Sequence, residues 1–322
     1  MSHLFKRAAC GVAAALLQTC SRPTSDLGGA QAATDEAESV TPVSRCDAPS
    51  ATSAIRESRD VTYVVRGGRA LHFDVAWSET GPAAPLVLLL HGGSWSGGSR
   101  VSFHDEMRAL ARRGYTAAAI EYRLTQAPRD VFPAAIADVR CALRTLRRRA
   151  ADYHIAPEKV AALGYSAGGH LASMLGVAAD VGGLDEPGCD GSGENVRVQA
   201  VVSYAGPQDL RVNGPYTQEQ ADIVTNFLGV FPGDAPAVAR LASPIAHVSA
   251  GDPPFLMLHG TDDPLVPVEH PRRMASALRA VGTPASLIEL GRIGHGYVGT
   301  VTSGDATVRC TVDAFLARWL RG

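Results

Sequence analysis

Gly164-Tyr165-Ser166-Ala167-Gly168 reads G-x-S-x-G, with an apolar run at 160–163 before it and a helix-forming run at 170–179 after it. A serine between small glycines at such a strand-to-helix turn is forced onto a strained tip, where its hydroxyl stands clear of the sheet. Serine alone is a poor nucleophile. It needs a base to take its proton and a third group to orient that base. In a sheet protein of this kind the partners follow in chain order, an acid and then a histidine. Gly260-Thr261-Asp262-Asp263-Pro264 follows one later apolar run, and Gly294-His295-Gly296 follows the next. The assignment is Ser166 as nucleophile, His295 as general base and then general acid, and Asp263 as the orienting carboxylate, with Asp262 as the alternative acid.

Acyl transfer also develops a negative oxygen, which needs fixed donors. His91-Gly92-Gly93-Ser94-Trp95 directly follows an apolar strand-like run at 86–90, and glycine lets the backbone approach a substrate closely. The amides of Gly93, Ser94 and Ala167 are the expected oxyanion-hole donors.

These loops need a scaffold. From residue 60 onward, strand-like and helix-like segments alternate. Segments 61–65 and 71–77 flank Arg66-Gly67-Gly68-Arg69, a hairpin signal. Apolar strand runs recur at 86–90, 116–120, 160–165, 198–204, 255–259 and 285–290. Helical patterns fall at 103–113, 133–151, 268–281 and 307–320. Two antiparallel strands followed by repeated β-α units predict an α/β fold: a mostly parallel eight-stranded sheet with helices on both faces. Sites in such sheets form at the carboxyl ends of the strands. Segment 206–250 is long, with weak helix signals at 218–229 and 235–241, and is expected to form a small cap or lid.

The ordered motifs resemble one family. His91 to Trp95, Glu121-Tyr122-Arg123-Leu124, Phe132-Pro133 with Asp138, and Gly164 to His170 are joined by Pro253-Pro254, His259-Gly260-Thr261-Asp262-Asp263, Val266-Pro267 and Gly294-His295-Gly296-Tyr297. Over roughly residues 60–320 the chain resembles α/β-hydrolases of the acetyl-esterase, feruloyl-esterase-like (BD-FAE-like) and hormone-sensitive-lipase-like group. The resemblance implies a serine carboxylic-ester hydrolase without cofactor, acting on short-chain acyl, acetylated or feruloylated carbohydrate esters. It places the acid at Asp263. Many relatives carry a third glycine where this chain has Ser94. An amide or formamide hydrolase with the same triad is the alternative. A non-catalytic binding module on the same fold would lack a triad member, and none is missing.

Other residues have plainer expected roles. His91 and His259 end strands and are expected to hold loops through backbone hydrogen bonds, and His170 to pack inside the helix after Ser166. Arg123 and Asp138 are expected to brace the structure. The basic cluster at 144–149 reads as a solvated helix face. Residues 190–195 fail calcium-loop spacing and read as a surface loop.

The chain has 322 residues, 46% hydrophobic and 19% charged, which suits a soluble globular protein. A formal net charge of −2 offers no electrostatic case for nucleic acid. Lys6 and Arg7 precede an apolar stretch at 8–17 that is too short to span a bilayer, the form of an export signal over residues 1–20. It ends at Leu17-Gln18-Thr19-Cys20, which resembles a lipoprotein lipobox with Cys20 as the acylated residue and membrane tether; Ala30 to Ala32 is the competing cleavage site. Residues 21–53 read as a flexible leader, and 54–322 as the folded domain. In an oxidising compartment, Cys46, Cys141, Cys189 and Cys310 allow three pairings. Cys141, inside a helix pattern, is read as a small buried hydrophobe. No Cys/His spacing suggests a zinc site.

Overall fold

The computed structural model describes residues 46, 54–189, 193–211, 217–295 and 306–322. Eight strands run in chain order as β1 (Ile55–Arg66), β2 (Arg69–Ser78), β3 (Ala84–Leu90), β4 (Thr116–Ile120), β5 (Ile155–Tyr165), β6 (Ala200–Tyr204), β7 (Phe255–Gly260) and β8 (Ala285–Leu290). They form one sheet in the order β1-β2-β4-β3-β5-β6-β7-β8. The β1–β2 and β2–β4 pairs are antiparallel, and every other neighbouring pair is parallel. The helices are α1 (His104–Arg112), α2 (Ala134–Arg148), α3 (Ala167–Val177), α4 (Gln218–Leu228), α5 (Pro236–Leu241), α6 (Glu269–Ala280) and α7 (Ala306–Arg321).

Parallel strands covered on both faces need no polar alternation, which is why β3 reads as an unbroken apolar run and β6 and β7 as buried, mostly apolar ones. Successive side chains still point to opposite faces. Leu86, Leu88 and Leu90 join a core with Ile136 of α2, Leu171 of α3 and Met274 of α6. Val87 and Leu89 join a second core with Leu110 of α1 and Phe315 of α7. One strand thus glues helices to both faces of the sheet.

Two strands start earlier than their apolar patterns do. β1 begins at Ile55, and its outer half exposes Arg56, Glu57 and Arg59. As the sheet edge it is held by pairing with β2 rather than by burial, so hydrophobicity alone does not reveal it. β5 begins at Ile155, and its register jumps from Pro85 opposite Ala156 to Leu86 opposite Val160. The intervening Pro157-Glu158-Lys159 cannot sit in a regular ladder and hides the start of the strand.

The flank formed by α2 departs from the solvated-face expectation. Arg147 Nε donates to the Pro157 carbonyl at 2.9 Å, and its Nη atoms reach Asn195 Oδ1 at 2.8 Å and the Arg197 carbonyl at 2.6 Å. Arg144 Nε donates to the Glu194 carbonyl at 3.0 Å. Of the cluster, Arg148 does remain exposed. Backbone carbonyls of a segment packed against a helix need donors, and guanidinium groups supply them. Cys141 is buried as expected but is not a lone thiol: it is bonded to Cys189. Cys46, which the sequence places inside the leader, is bonded to Cys310 of α7. The other residues of the 1–53 segment, including Cys20, and residues 190–192 of the acidic loop lie outside the described residues. Arg123 and Asp138 form the expected brace, with Arg123 Nε and Nη2 on the two carboxylate oxygens at 2.8 and 2.9 Å.

Candidate active site

Ser166 is the residue between β5 and α3, with φ 54° and ψ −118°. A positive φ is costly for a side chain larger than glycine, so the surroundings must hold it. Backbone bonds do so: Ser166 N donates to the Tyr204 carbonyl at 2.8 Å, and His170 N donates to the Ser166 carbonyl at 3.0 Å. Glycine is required on both sides of the turn. A Cβ at Gly164 would lie 2.1 Å from the Gly168 carbonyl oxygen, and one at Gly168 would lie 1.9 Å from that of Leu90. That second approach brings the start of α3 against the end of β3, beside the His91-to-Trp95 turn.

The acid and base arrive on the loops after β7 and β8. His295 Nδ1 lies 2.7 Å from Asp263 Oδ2, and His295 Nε2 lies 2.9 Å from Ser166 Oγ. A carboxylate only accepts, so Nδ1 carries the proton and the Nε2 lone pair faces the serine hydroxyl. Asp263 Oδ1 accepts from the Leu265 and Val266 amides at 2.9 and 2.8 Å. Burial pushes the Asp263 carboxyl upward. The hydrogen bonds from His259, His295 and the Val266 amide outweigh it and hold the group well below the usual carboxylate range. Asp262, the alternative acid, is exposed and its Oδ1 takes the Thr261 hydroxyl at 2.9 Å. The structure thus brings Ser166, Asp263 and His295 together and leaves Asp262 outside the chain of contacts.

The turn after β3 is conformationally unusual. Gly93 has φ +118°, and Ser94 and Trp95 follow at 52° and 58°. The Gly93 carbonyl accepts from the Ser96 and Gly97 amides at 3.0 and 2.8 Å, closing the turn. Trp95 anchors it by stacking on Phe227 of α4 at 4.1 Å and donating from Nε1 to His170 Nδ1 at 3.3 Å. His170 Nε2 donates to the Ala242 carbonyl at 2.7 Å, and burial lowers its pKa to about 4. His170 therefore packs and braces, as expected. His91 stacks on Tyr122, with ring centroids 4.2 Å apart, and His259 Nε2 donates to the Val266 carbonyl at 2.6 Å.

Ser94, Ser166 and Ala167 line one pocket, walled by Trp95, Leu210, Ile223, Val224 and Leu265. Asp209, Gln220 and His270 line it too. Sequence reasoning missed these three, because they come from the 206–250 segment and from α6 with no local motif. It also missed Tyr165, whose hydroxyl donates to the His295 carbonyl. Its place inside G-x-S-x-G was the available signal. Gln220 ties the segment to the acid loop: Oε1 accepts from Thr217 N at 2.9 Å, completing a capping box, and Nε2 donates to the Pro264 carbonyl at 2.9 Å.

This arrangement has known counterparts. The chain is 33% identical over 78% of its length to the probable carboxylic ester hydrolase LipM of Mycobacterium tuberculosis, covering 58% of that protein. It thus spans less than two thirds of that relative's length. Esterase 2 of Thermogutta terrifontis shares 25% identity in its form phosphonylated by sarin, with TM-score 0.70 over 85% of this chain and 96% of that one. The butyrate-bound form of the same esterase gives 25% identity and TM-score 0.67 over 83% of this chain and 94% of that one. The BD-FAE family model matches residues 74–278. With its eight-stranded, mostly parallel sheet, the chain belongs to the BD-FAE family and is an α/β-hydrolase.

Proposed function

We propose that the chain is a serine carboxylic-ester hydrolase acting through an acyl-enzyme. The observation that carries this reading is the continuous chain of contacts from Ser166 Oγ through His295 to Asp263. Ser166 Oγ attacks the ester carbonyl as His295 Nε2 takes its proton. The tetrahedral oxygen is held by the amides of Gly93, Ser94 and Ala167. His295 then protonates the leaving alcohol, and water releases the acid by the reverse roles. Asp263, stripped of its proton by its donors, keeps the His295 tautomer fixed and favours the imidazolium.

The substrate class is a short-chain acyl ester, including acetylated or feruloylated carbohydrate. The narrow apolar pocket beside Ser166 supports a small acyl or alkoxy group. The butyrate held by the structural relative supports the same size. Residues 206–250 act as the cap, since Leu210, Ile223 and Val224 wall that pocket. We place the protein outside the cytoplasm, exported by residues 1–20 as a secreted, periplasmic or, through a lipidated Cys20, membrane-tethered protein. Two disulfides support an oxidising compartment.

The test is p-nitrophenyl acetate turnover by purified protein, beside an N-formyl amide. Ser166→Ala is expected to lower kcat by about 10⁴-fold or more with little change in Tm. A phosphonate ester is expected to label Ser166, seen by peptide mass. Retained turnover in the alanine variant, or faster amide cleavage than ester cleavage, would overturn the reading.

A further inference from the structure

His270 stands in the first turn of α6 and lines the pocket that holds Ser166. Its Nδ1 accepts from two backbone amides, Gln208 N and Asp209 N, each at 3.2 Å. An imidazole nitrogen that accepts has no proton, so in the neutral ring the proton must sit on Nε2. Burial keeps the ring neutral, lowering its pKa to about 4. Among the described residues, no acceptor pairs with Nε2.

The neighbouring polar side chains are spoken for. Asp209 is taken by Arg211 at 2.8 and 2.9 Å and by Arg273 at 2.9 Å. The Gln220 amide is used by Thr217 N and the Pro264 carbonyl. Most of the remaining wall is apolar, Leu210, Ile223, Val224 and Leu265 among it. An N–H donor in an apolar wall is costly when an all-carbon group covers it, and rewarding when an oxygen meets it.

We propose that His270 is a specificity-determining residue: its Nε2–H donates to an ether, hydroxyl or carbonyl oxygen on whichever substrate arm fills this pocket. The enzyme then favours oxygen-bearing acyl or alkoxy groups over all-carbon groups of the same length. This inference rests on the esterase reading above.

Two matched pairs test it. p-Nitrophenyl methoxyacetate and p-nitrophenyl butyrate differ by one oxygen for one methylene in the acyl arm. 2-Methoxyethyl acetate and n-butyl acetate differ likewise in the alcohol arm. His270→Asn keeps an acceptor for the two backbone amides but removes the distal N–H. Comparing variant with wild type cancels the intrinsic reactivity of each ester. The kcat/KM preference for the oxygen-bearing member is expected to fall about fivefold to tenfold in at least one pair, which also assigns the arm. If both members of both pairs change by one common factor, the proposal is overturned. His270→Gln, whose longer amide can restore a distal N–H, is expected to keep more of the preference than His270→Asn, and the inhibition comparison in wild type stands should either variant lose its fold. In wild type, 2-methoxyethanol should inhibit more strongly than n-butanol, or methoxyacetate more strongly than butyrate; equal inhibition within both pairs also overturns it. Absence of Ser166-dependent turnover in wild type would instead sink the esterase reading.

Discussion

The loops at the carboxyl ends of β5, β7 and β8 and the flank of α2 are both dense in polar groups, yet they use them in opposite ways. On the flank, Arg140, Arg144 and Arg147 spend their donors on carbonyls of residues 157–197 and on Asp185, and the Cys141–Cys189 bond closes the same contact. At the site, each group is held from behind and left free in front. Asp263 is fixed by backbone amides, His295 by Asp263, and Ser166 by its own strained turn. The difference teaches that a cluster of charges is judged by where its donors end. Donors that end on the carbonyls and carboxylates of the fold stabilise it. A chain of contacts ending at an open pocket is placed to do chemistry.

The sharpest way to separate the two regions is Asp263→Asn. It is expected to lower kcat by about 10³–10⁴-fold on p-nitrophenyl acetate, because the imidazole loses its tautomer and its counter-charge. Chemical denaturation should register far less. The reverse result is expected on the flank. Replacing Cys141 and Cys189 together by serine removes a cross-link of sequence separation 48 and is expected to cost about 2–4 kcal/mol of stability, read from urea midpoints. Its kcat should stay within about twofold of wild type.

His170 joins the turn carrying Trp95 to the segment beyond α5, so it should affect stability through pH. Its folded pKa of about 4 lies below the ordinary 6.5. The unfolded ring therefore binds a proton as pH falls through 6.5, while the folded ring stays neutral until about 4. Stability from this group is fully present above 6.5 and falls by about 1.4 kcal/mol per pH unit between 6.5 and 4. His170→Gln is expected to flatten that slope by the same amount in urea midpoints measured from pH 4.5 to 7.5. The smallest effect is expected from Asp262→Asn, within about twofold in kcat/KM, since its exposed carboxylate bonds only the Thr261 side chain among the contacts described above. A larger loss there would move the acid from Asp263 to Asp262.

Much of this was legible in the sequence. Every strand and helix expected from residue 60 onward is present, because buried parallel strands and amphipathic helices write their burial into apolar spacing. Ser166, Asp263 and His295 were legible because each sits on a loop beside such a strand. The start of β1 was not, since an edge strand is held by backbone pairing. The flank was misread because helical spacing places arginines on a face without saying what covers that face.

The sequence alone determined the order of the elements and the residues able to attack, accept a proton and carry a compensating charge. Those properties belong to side-chain chemistry and to local periodicity, which neighbouring residues decide. Only the tertiary structure decided that Asp263 Oδ2 comes to 2.7 Å from His295, that Cys141 pairs with Cys189, and that His270 takes the Gln208 and Asp209 amides beside the pocket of Ser166. Each of these depends on segments far apart in the chain converging within about 3 Å, the reach of a hydrogen bond, and no local pattern encodes such a distance.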